Sequence, residues 1–453
     1  MPSTSLMLFT RDLRVHDNPA LRAAAGADRV VPLFVLDTGI LRSDYIAPNR
    51  AAFLTGCLDD LDRSLVERGS GLVVRRGRFV TEVARLADET GAEVVHASAD
   101  HSGYAQRRLR ELGDRLARDG RELVLHDGLT VVAPGAVTPS GKTHYGVFSP
   151  YFRAWEKAER RTPNGAPRTL TSPRVPKGRV PKAADLAPGD PAPELPEPGE
   201  TAARKRLASW LRAHVEEDDE RHDDLPGDAT SRLSADLHFG CLSPVELVAR
   251  VGDSPGAQAF VRQLAWRDFN LQLLAAQPAL AREDLRPKGD RWHQGGGDFD
   301  AWRAGRTGIP IVDAGMRQLL REGWMHNRAR MIVASFLTKH LYVDWRLGAE
   351  HFLEHLIDGD IANNQLNWQW VAGTGADSRP NRVLSPLRQA QRFDPDGSYV
   401  RRYVEGLAGI DGAAVHQPWE LPEDVRDGLD YPAPLVDLAE ARERFLARRA
   451  NSG

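Results

Sequence analysis

At 453 residues the chain is long enough for one very large domain or for two to three ordinary ones. Its 41% hydrophobic and 27% charged residues are ordinary for a globular protein, and no apolar run reaches the roughly 20 residues that a membrane-spanning helix needs. A net charge of −3 singles out no partner, so any affinity for a polyanion must come from how the charges are distributed.

The opening "MPSTSLMLFTRDLRVHDNPAL" has no charged region ahead of an apolar stretch and reads as a strand entering a turn, not a signal peptide. Short apolar, β-branched runs predict strands at Leu6–Thr10, Arg29–Asp37, Gly71–Gly77, Ala92–Ser98 and Glu122–Asp127. Helical patterns lie between them. Asn18 is placed to cap a helix that opens on Pro19. Asn49–Gly69, Thr81–Gly91 and Tyr104–Gly120 follow, each ending at glycine. Continuous apolar strands separated by helices predict a doubly wound parallel sheet, with ligands at the C-terminal strand ends. No G-x-G-x-x-G and no P-loop follows the first strand, so dinucleotide and NTPase readings lack their motif. Cys57 and Cys241 are the only cysteines and lie far apart in sequence, so a disulfide framework is not expected and a reducing cytoplasm is the simple reading.

Ten of the 30 prolines fall between Pro163 and Pro198, which predicts a connector laid over the surface. Beyond about residue 200 strand signals nearly vanish. Ala202–Glu217, Pro255–Pro278, Ile311–Gly323, Asn327–Val343 and Arg346–Gly359 are helical by period. The expected organisation is an α/β domain at 1–130, a connector at 131–199 and an all-α domain at 200–453.

Several stretches of the helical half carry candidate chemistry. "HFLEH" (His351–His355) puts two imidazoles one turn apart with Glu354 between, the spacing of a zinc site. Two histidines four apart recur by chance, however, and rim histidines are the simpler reading; no metal is assigned. Seven of the ten tryptophans lie between Trp266 and Trp370; each is foremost a core residue, but together they make a possible electron relay. "TSRLSADLHFGCLSP" offers hydroxyls and backbone N–H groups ahead of a helix, a common cap and also a phosphate cradle. "DGDIANNQLNWQW" (Asp358–Trp370) packs two carboxylates, five amides and two tryptophans into thirteen residues. Amides are costly to bury without partners. An anionic cofactor with many polar edges would account for these regions together, and a flavin fits. Six arginines between Arg379 and Arg402 form a basic cluster, whose plain reading is a solvated surface.

Together with "TRDLRVHDNPAL", "LAWRDF", "GRTGIPIVDAGMRQLLREGWMHNRARMIVASF", "VDWRLG" and "FDPDGSYVRRYV", these stretches resemble the photolyase/cryptochrome flavoproteins over nearly the whole chain, most closely the class I cyclobutane pyrimidine dimer photolyases. The resemblance implies an N-terminal antenna domain and a helical domain that holds FAD. It implies that Thr230, Ser231, Leu233 and Ser234 hold the phosphates, that Arg267, Trp324 and Arg330 line the cofactor, that Asp358 and Asp360 meet its ring and ribose edges, and that Asn364 faces the flavin N5. Trp368, Trp345 and Trp292 match a photoreduction relay. Gln263, Trp266, Asn327, Arg328, Met331 and Trp370 match the pocket for a flipped lesion in DNA.

Some positions depart from the family pattern. Gln263 stands where dimer-repairing members usually carry Glu, and resembles the (6-4) photolyases there, whereas Asn327 and Met331 resemble the cyclobutane class. His340 stands where an Asp often pairs with Arg330, Asp218 where a Tyr often packs near FAD, and Ser385 where an Asn precedes Pro386. Gly103-Tyr104 replaces the Asn-Glu pair of folate-binding members, which weakens folate and leaves a deazaflavin, another flavin or no antenna, a deazaflavin being favoured over folate. The implied activity is light-driven repair of cyclobutane pyrimidine dimers by a cytoplasmic monomer. A cryptochrome-like photoreceptor is the alternative, and a (6-4) photolyase a third.

Overall fold

The computed structural model describes residues 2–450. Its sheet is made of β1 (Thr4–Phe9), β2 (Arg29–Asp37), β3 (Val73–Gly77), β4 (Val94–Ser98) and β5 (Glu122–His126), all parallel, in the order β3-β2-β1-β4-β5. Side chains alternate along β1. Leu6 and Leu8 enter a core with Val83, Leu86, Leu112 and Leu116 from the helices Phe79–Thr90 and Gly103–Arg118. Met7 and Phe9 face the other way, into a core that continues through Phe53 and Phe239 to Leu264 and Phe269 of the helical half. Burial on both faces is why these strands read as continuous apolar runs.

Local signals act as the sequence suggested. The Asn18 side chain accepts from the Leu21 amide and Pro19 opens the helix Pro19–Ala24. Gly91 takes the left-handed conformation that ends Phe79–Thr90.

The loop after β1 docks the sheet onto the helical half. Arg14, 1% exposed, donates to the carbonyls of Asp17, Gly128 and Gly240. Glu200 accepts from the amides of Val15 and His16. Gly240 has φ +69°, and a Cβ there would sit 1.9 Å from the Arg11 carbonyl oxygen, so the two backbones touch at a position only glycine allows. Cys57 and Cys241, 184 residues apart, bring their sulfurs to 3.4 Å as buried free thiols on either side of this seam. Sequence separation gave no hint of that contact.

The stretch 131–199 is not uniform. It contains the helix Phe148–Lys157, whose Phe148 ring stacks on Trp266 at 3.7 Å between centroids. From Pro163 to Pro198 the only helical piece is the 3-10 turn Ala183–Asp185. Backbone bonds from Val30 to Thr171 and from Val74 to Lys177 pin this segment beside the sheet. From residue 200 onward the named elements are helical, and one isolated bridge joins His293 to Val343. The expected helix Asn327–Val343 ends early: an α-helix over Asn327–Ser335 passes into a π-turn, Phe336–His340. No helix among the described residues is long and apolar enough to cross a membrane.

Candidate functional site

"DGDIANNQLNWQW" begins as a loop and becomes the helix Ile361–Ala372. Asp360 is its N-cap, with Oδ1 accepting from the backbone and side-chain nitrogens of Asn363, each at 2.8 Å. Its Oδ2 accepts from Arg11 of the sheet's docking loop at 2.5 Å. Arg11 also donates to the His238 carbonyl, while Tyr45 Oη lies 3.3 Å from His238 Nε2 and donates to the Gly359 carbonyl. Burial opposes ionisation of Asp360, but the charges of Arg11, His238 and Arg267 outweigh it and hold the carboxyl well below its ordinary range. Asp360 is therefore a carboxylate at neutral pH.

A chain of contacts leads from here to the hydroxyl-rich loop. The Asp360 amide donates to the Asp358 carbonyl. Asp358 Oδ2 accepts from Arg330 at 2.7 Å, and Arg330 Nε donates to the Met325 carbonyl. Next along the chain, Trp324 Nε1 donates to Ser234 Oγ at 3.1 Å, and Arg232 covers the Trp324 ring at 4.2 Å. Arg232 itself has φ +51°, which turns the chain ahead of the short helix Ser234–Phe239. Thus Ser234, Trp324, Arg330, Asp358, Asp360 and Arg11 form one connected lining. Arg267 joins from the helix Pro255–Ala276, donating to the carbonyls of Leu129 and Leu237.

Two buried polar atoms, Asp358 Oδ1 in this lining and Thr230 Oγ1 four residues before Ser234, have no partner among the described residues. A buried oxygen without a hydrogen bond costs about 1–3 kcal/mol unless a ligand supplies one. Hydroxyls and backbone N–H groups beside Thr230–Ser234 suit a diphosphate, and a free carboxylate oxygen suits the donors of a ribose or flavin edge. The lining fits FAD.

The pairing of Arg330 with Asp358 answers the substitution at His340. Arg330 needs no carboxylate at that position, and His340 stacks on Phe336 at 5.5 Å between centroids. Burial pulls the imidazole down to about 4, so it is neutral at pH 7 and adds no positive charge at that position. Asp218 is buried, and burial pushes its carboxyl up to about 6. Ser385 caps the helix Pro386–Phe393 through the Arg388 amide.

Three of the four remaining amides of the segment serve the protein itself. Asn363 accepts from Asn270, Gln365 donates to the Ala281 carbonyl, and Gln369 donates to the carbonyls of Leu280 and Glu283. Asn367 is exposed. Asn364 donates to the Ala349 carbonyl and to Gln365 Oε1.

Trp368, 3% exposed, lies against the helix Trp345–His355; a Cβ on Gly348 would come within 2.3 Å of its ring. Gly348 is one turn from Trp345, so both indoles share that helix face. Trp345 is fully buried and donates to Asp284, whereas Trp292 is half-buried against Tyr342 at 4.8 Å. Trp368 and Trp345 are thus core residues, and Trp292 is the one of the three that reaches solvent. Trp302, which sequence reasoning left among the core residues, meets Trp368 edge-to-face at 6.1 Å.

The residues matched to a lesion pocket are more exposed. Gln263 and Asn327 face solvent, and Met331, Trp266 and Trp370 are half-buried. One face of Trp266 is already covered by Phe148. Arg382 lies over the Trp370 ring at 5.1 Å. Arg328 is bound through two nitrogens to Asp223 and packs on Phe393, so its charge is compensated within the protein. The arginines from Arg379 to Arg402 differ. Arg379, Arg382, Arg388, Arg392 and Arg402 are exposed, and none pairs with a carboxylate among the described residues. Lys339, donating to the carbonyls of Pro380 and Arg382, anchors their loop from beneath.

Residues 5–170 match the family described as DNA photolyase, and residues 260–451 match the FAD binding domain of DNA photolyase. The chain belongs to the DNA photolyase family. It is 55% identical to a deoxyribodipyrimidine photo-lyase of Streptomyces griseus, over 99% of each chain. A bacterial class III photolyase from Agrobacterium tumefaciens superposes with a TM-score of 0.92 at 34% identity, covering 100% of this chain and 98% of that one. A Synechocystis cryptochrome superposes at 0.90 with 29% identity over 99% of each. The fold is therefore common to proteins named photolyase and cryptochrome, and a class III photolyase shares the architecture of this chain.

Proposed function

We propose that the protein is a light-driven DNA repair enzyme that uses FAD to split cyclobutane pyrimidine dimers. The observation that carries this reading is a connected polar lining with an unpartnered buried oxygen, on a chain that also presents exposed arginines without acidic partners among the described residues. When bound in reduced form, FAD would lend an electron to the dimer on blue-light excitation and take it back once the cyclobutane ring has split, with no net oxidation. The work left to the chain is binding, orientation and water exclusion.

Thr230, Ser231, Leu233 and Ser234 would hold the phosphates, with Arg267, Trp324, Arg330, Asp358, Asp360 and Asn364 around the rest. Trp368, Trp345 and Trp292 would return the cofactor to its reduced state after oxidation. On the DNA side, a dimer pairs poorly and flips out at reduced cost. Trp266 and Trp370 would flank it, each stacking contact worth about 1–3 kcal/mol. Gln263, Asn327 and Met331 would meet its polar and apolar edges. The exposed arginines would take flanking phosphates, which makes binding salt-dependent. Arg328 would help by holding Asp223 and the surrounding surface in place.

For a second chromophore we infer a deazaflavin in preference to folate. Gly103 packs on Pro278, where a Cβ would meet its neighbour at 3.0 Å, and Tyr104 donates to Asp37 at 2.8 Å. Neither residue supplies the amide and carboxylate of the folate-binding pattern.

The test is blue-light illumination of the reduced protein with an oligonucleotide bearing one defined lesion. Restoration of a cyclobutane dimer is the expected result. Failure to restore it, or repair of a (6-4) lesion in its place, overturns the reading.

A further inference from the structure

The "HFLEH" stretch lies apart from the lining above, on the last turn of Trp345–His355. His351 and His355 are one turn apart with ring centroids 4.6 Å from each other. His351 Nδ1 is 3.1 Å from Glu354 Oε2, and one ligand atom from each of the three residues falls within 4.8 Å of the others. His351 is 3% exposed, and its Nε2 is buried without a partner among the described residues. Glu354 and His355 reach solvent. We propose that His351, Glu354 and His355 form a binding site for one divalent transition-metal ion of the zinc class.

Two imidazoles and a carboxylate form the donor set of three-ligand zinc sites, with the fourth position left to water. Bonds of about 2.1 Å bring tetrahedral ligands to about 3.4 Å from one another. The two partly exposed side chains can close that distance by rotation. Arg303 is the competitor. It donates to His351 Nδ1 at 3.3 Å and reaches Glu354 at 3.5 Å. At 43% exposed, its guanidinium is held by a surface contact worth little and can leave to solvent. Magnesium and calcium are excluded by chemistry, since they prefer all-oxygen sites.

The test is calorimetric titration of the tag-free, FAD-loaded full chain with zinc chloride. The chain has 14 histidines, so substitutions must locate the ion. One zinc per chain is expected, weakened at least ~10-fold in His355→Ala and about 3-fold in Glu354→Gln. Both residues are partly exposed, and thermal unfolding without zinc checks that each variant folds. Zinc is expected to raise the melting temperature of the wild type but not of His355→Ala. Absence of binding, binding unchanged in His355→Ala, or displacement by excess magnesium overturns the proposal.

Discussion

Two groups of arginines are treated in opposite ways. Arg11, Arg14 and Arg330 are turned inward, each donating to carbonyls or a carboxylate at fixed distances. Arg379, Arg382, Arg388, Arg392 and Arg402 stand in solvent without acidic partners among the described residues. Desolvating a guanidinium is tolerable only when its charge and donors are matched, so the inner group is built into the fold and preorganises a pocket. An outer arginine has no such obligation and keeps its charge for a ligand that arrives later. The difference teaches that the charge relevant to DNA is the uncompensated charge, which a count of Lys and Arg does not reveal.

The largest effect is expected from breaking the inner group. Asp360→Asn keeps the helix cap but removes the charge opposite Arg11 and Arg267. Arg11 keeps Asp100 at 3.8 Å and Arg267 keeps Asp268 at 3.7 Å, but the short charged contact of Arg11 at 2.5 Å is lost. Flavin affinity, measured by equilibrium binding to the apoprotein, is expected to fall at least 100-fold, and retention of flavin through purification would contradict the lining described above. Next comes Trp368→Phe, which removes the indole held against Gly348. Flavin photoreduction should slow at least ~10-fold while FAD absorbance per chain is retained; an unchanged rate would remove Trp368 from the relay.

Breaking the outer group has a different signature. Arg382→Ala combined with Arg392→Ala should leave flavin content intact and lower the slope of log affinity for DNA against log salt by about 2. A parallel shift at constant slope would mean that these arginines do not meet phosphates. Gln263→Glu is expected to strengthen dimer binding by about 3-fold, the size of one net hydrogen bond, and weaker binding would count against a cyclobutane-type pocket.

The smallest effect concerns His340. Its folded value of about 4 lies below the ordinary imidazole value of 6.5. Between these two the unfolded chain binds more protons, so stability falls as pH drops from about 6.5 to about 4. His340→Leu should flatten that part of the stability profile in urea unfolding, and an unchanged profile would show that other buried histidines, such as His326, carry it.

Much of this was legible before any coordinates. Strand boundaries fall within two residues of the observed ones because a buried parallel sheet demands continuous apolar runs. The caps at Asn18 and Gly91 are local chemistry. The helix Ile361–Ala372 was harder to read, because amides at Asn363, Gln365 and Gln369 make it look like a ligand surface. Those amides bond carbonyls and side chains more than 80 residues away, and no local pattern announces such partners. The same holds for Arg328, which looks like a free cation until Asp223 is placed beside it.

The sequence by itself determined the parallel sheet, the helical half and the family, because periodicity and long motifs are local properties of the chain. Tertiary structure alone decided which charges are compensated, which polar atoms are left for a cofactor, and that Arg330 pairs with Asp358 and not with position 340. Those outcomes depend on burial and on contacts between distant segments. The Arg11–Asp360 pair spans 349 residues, and it exists only once the sheet has docked onto the helices.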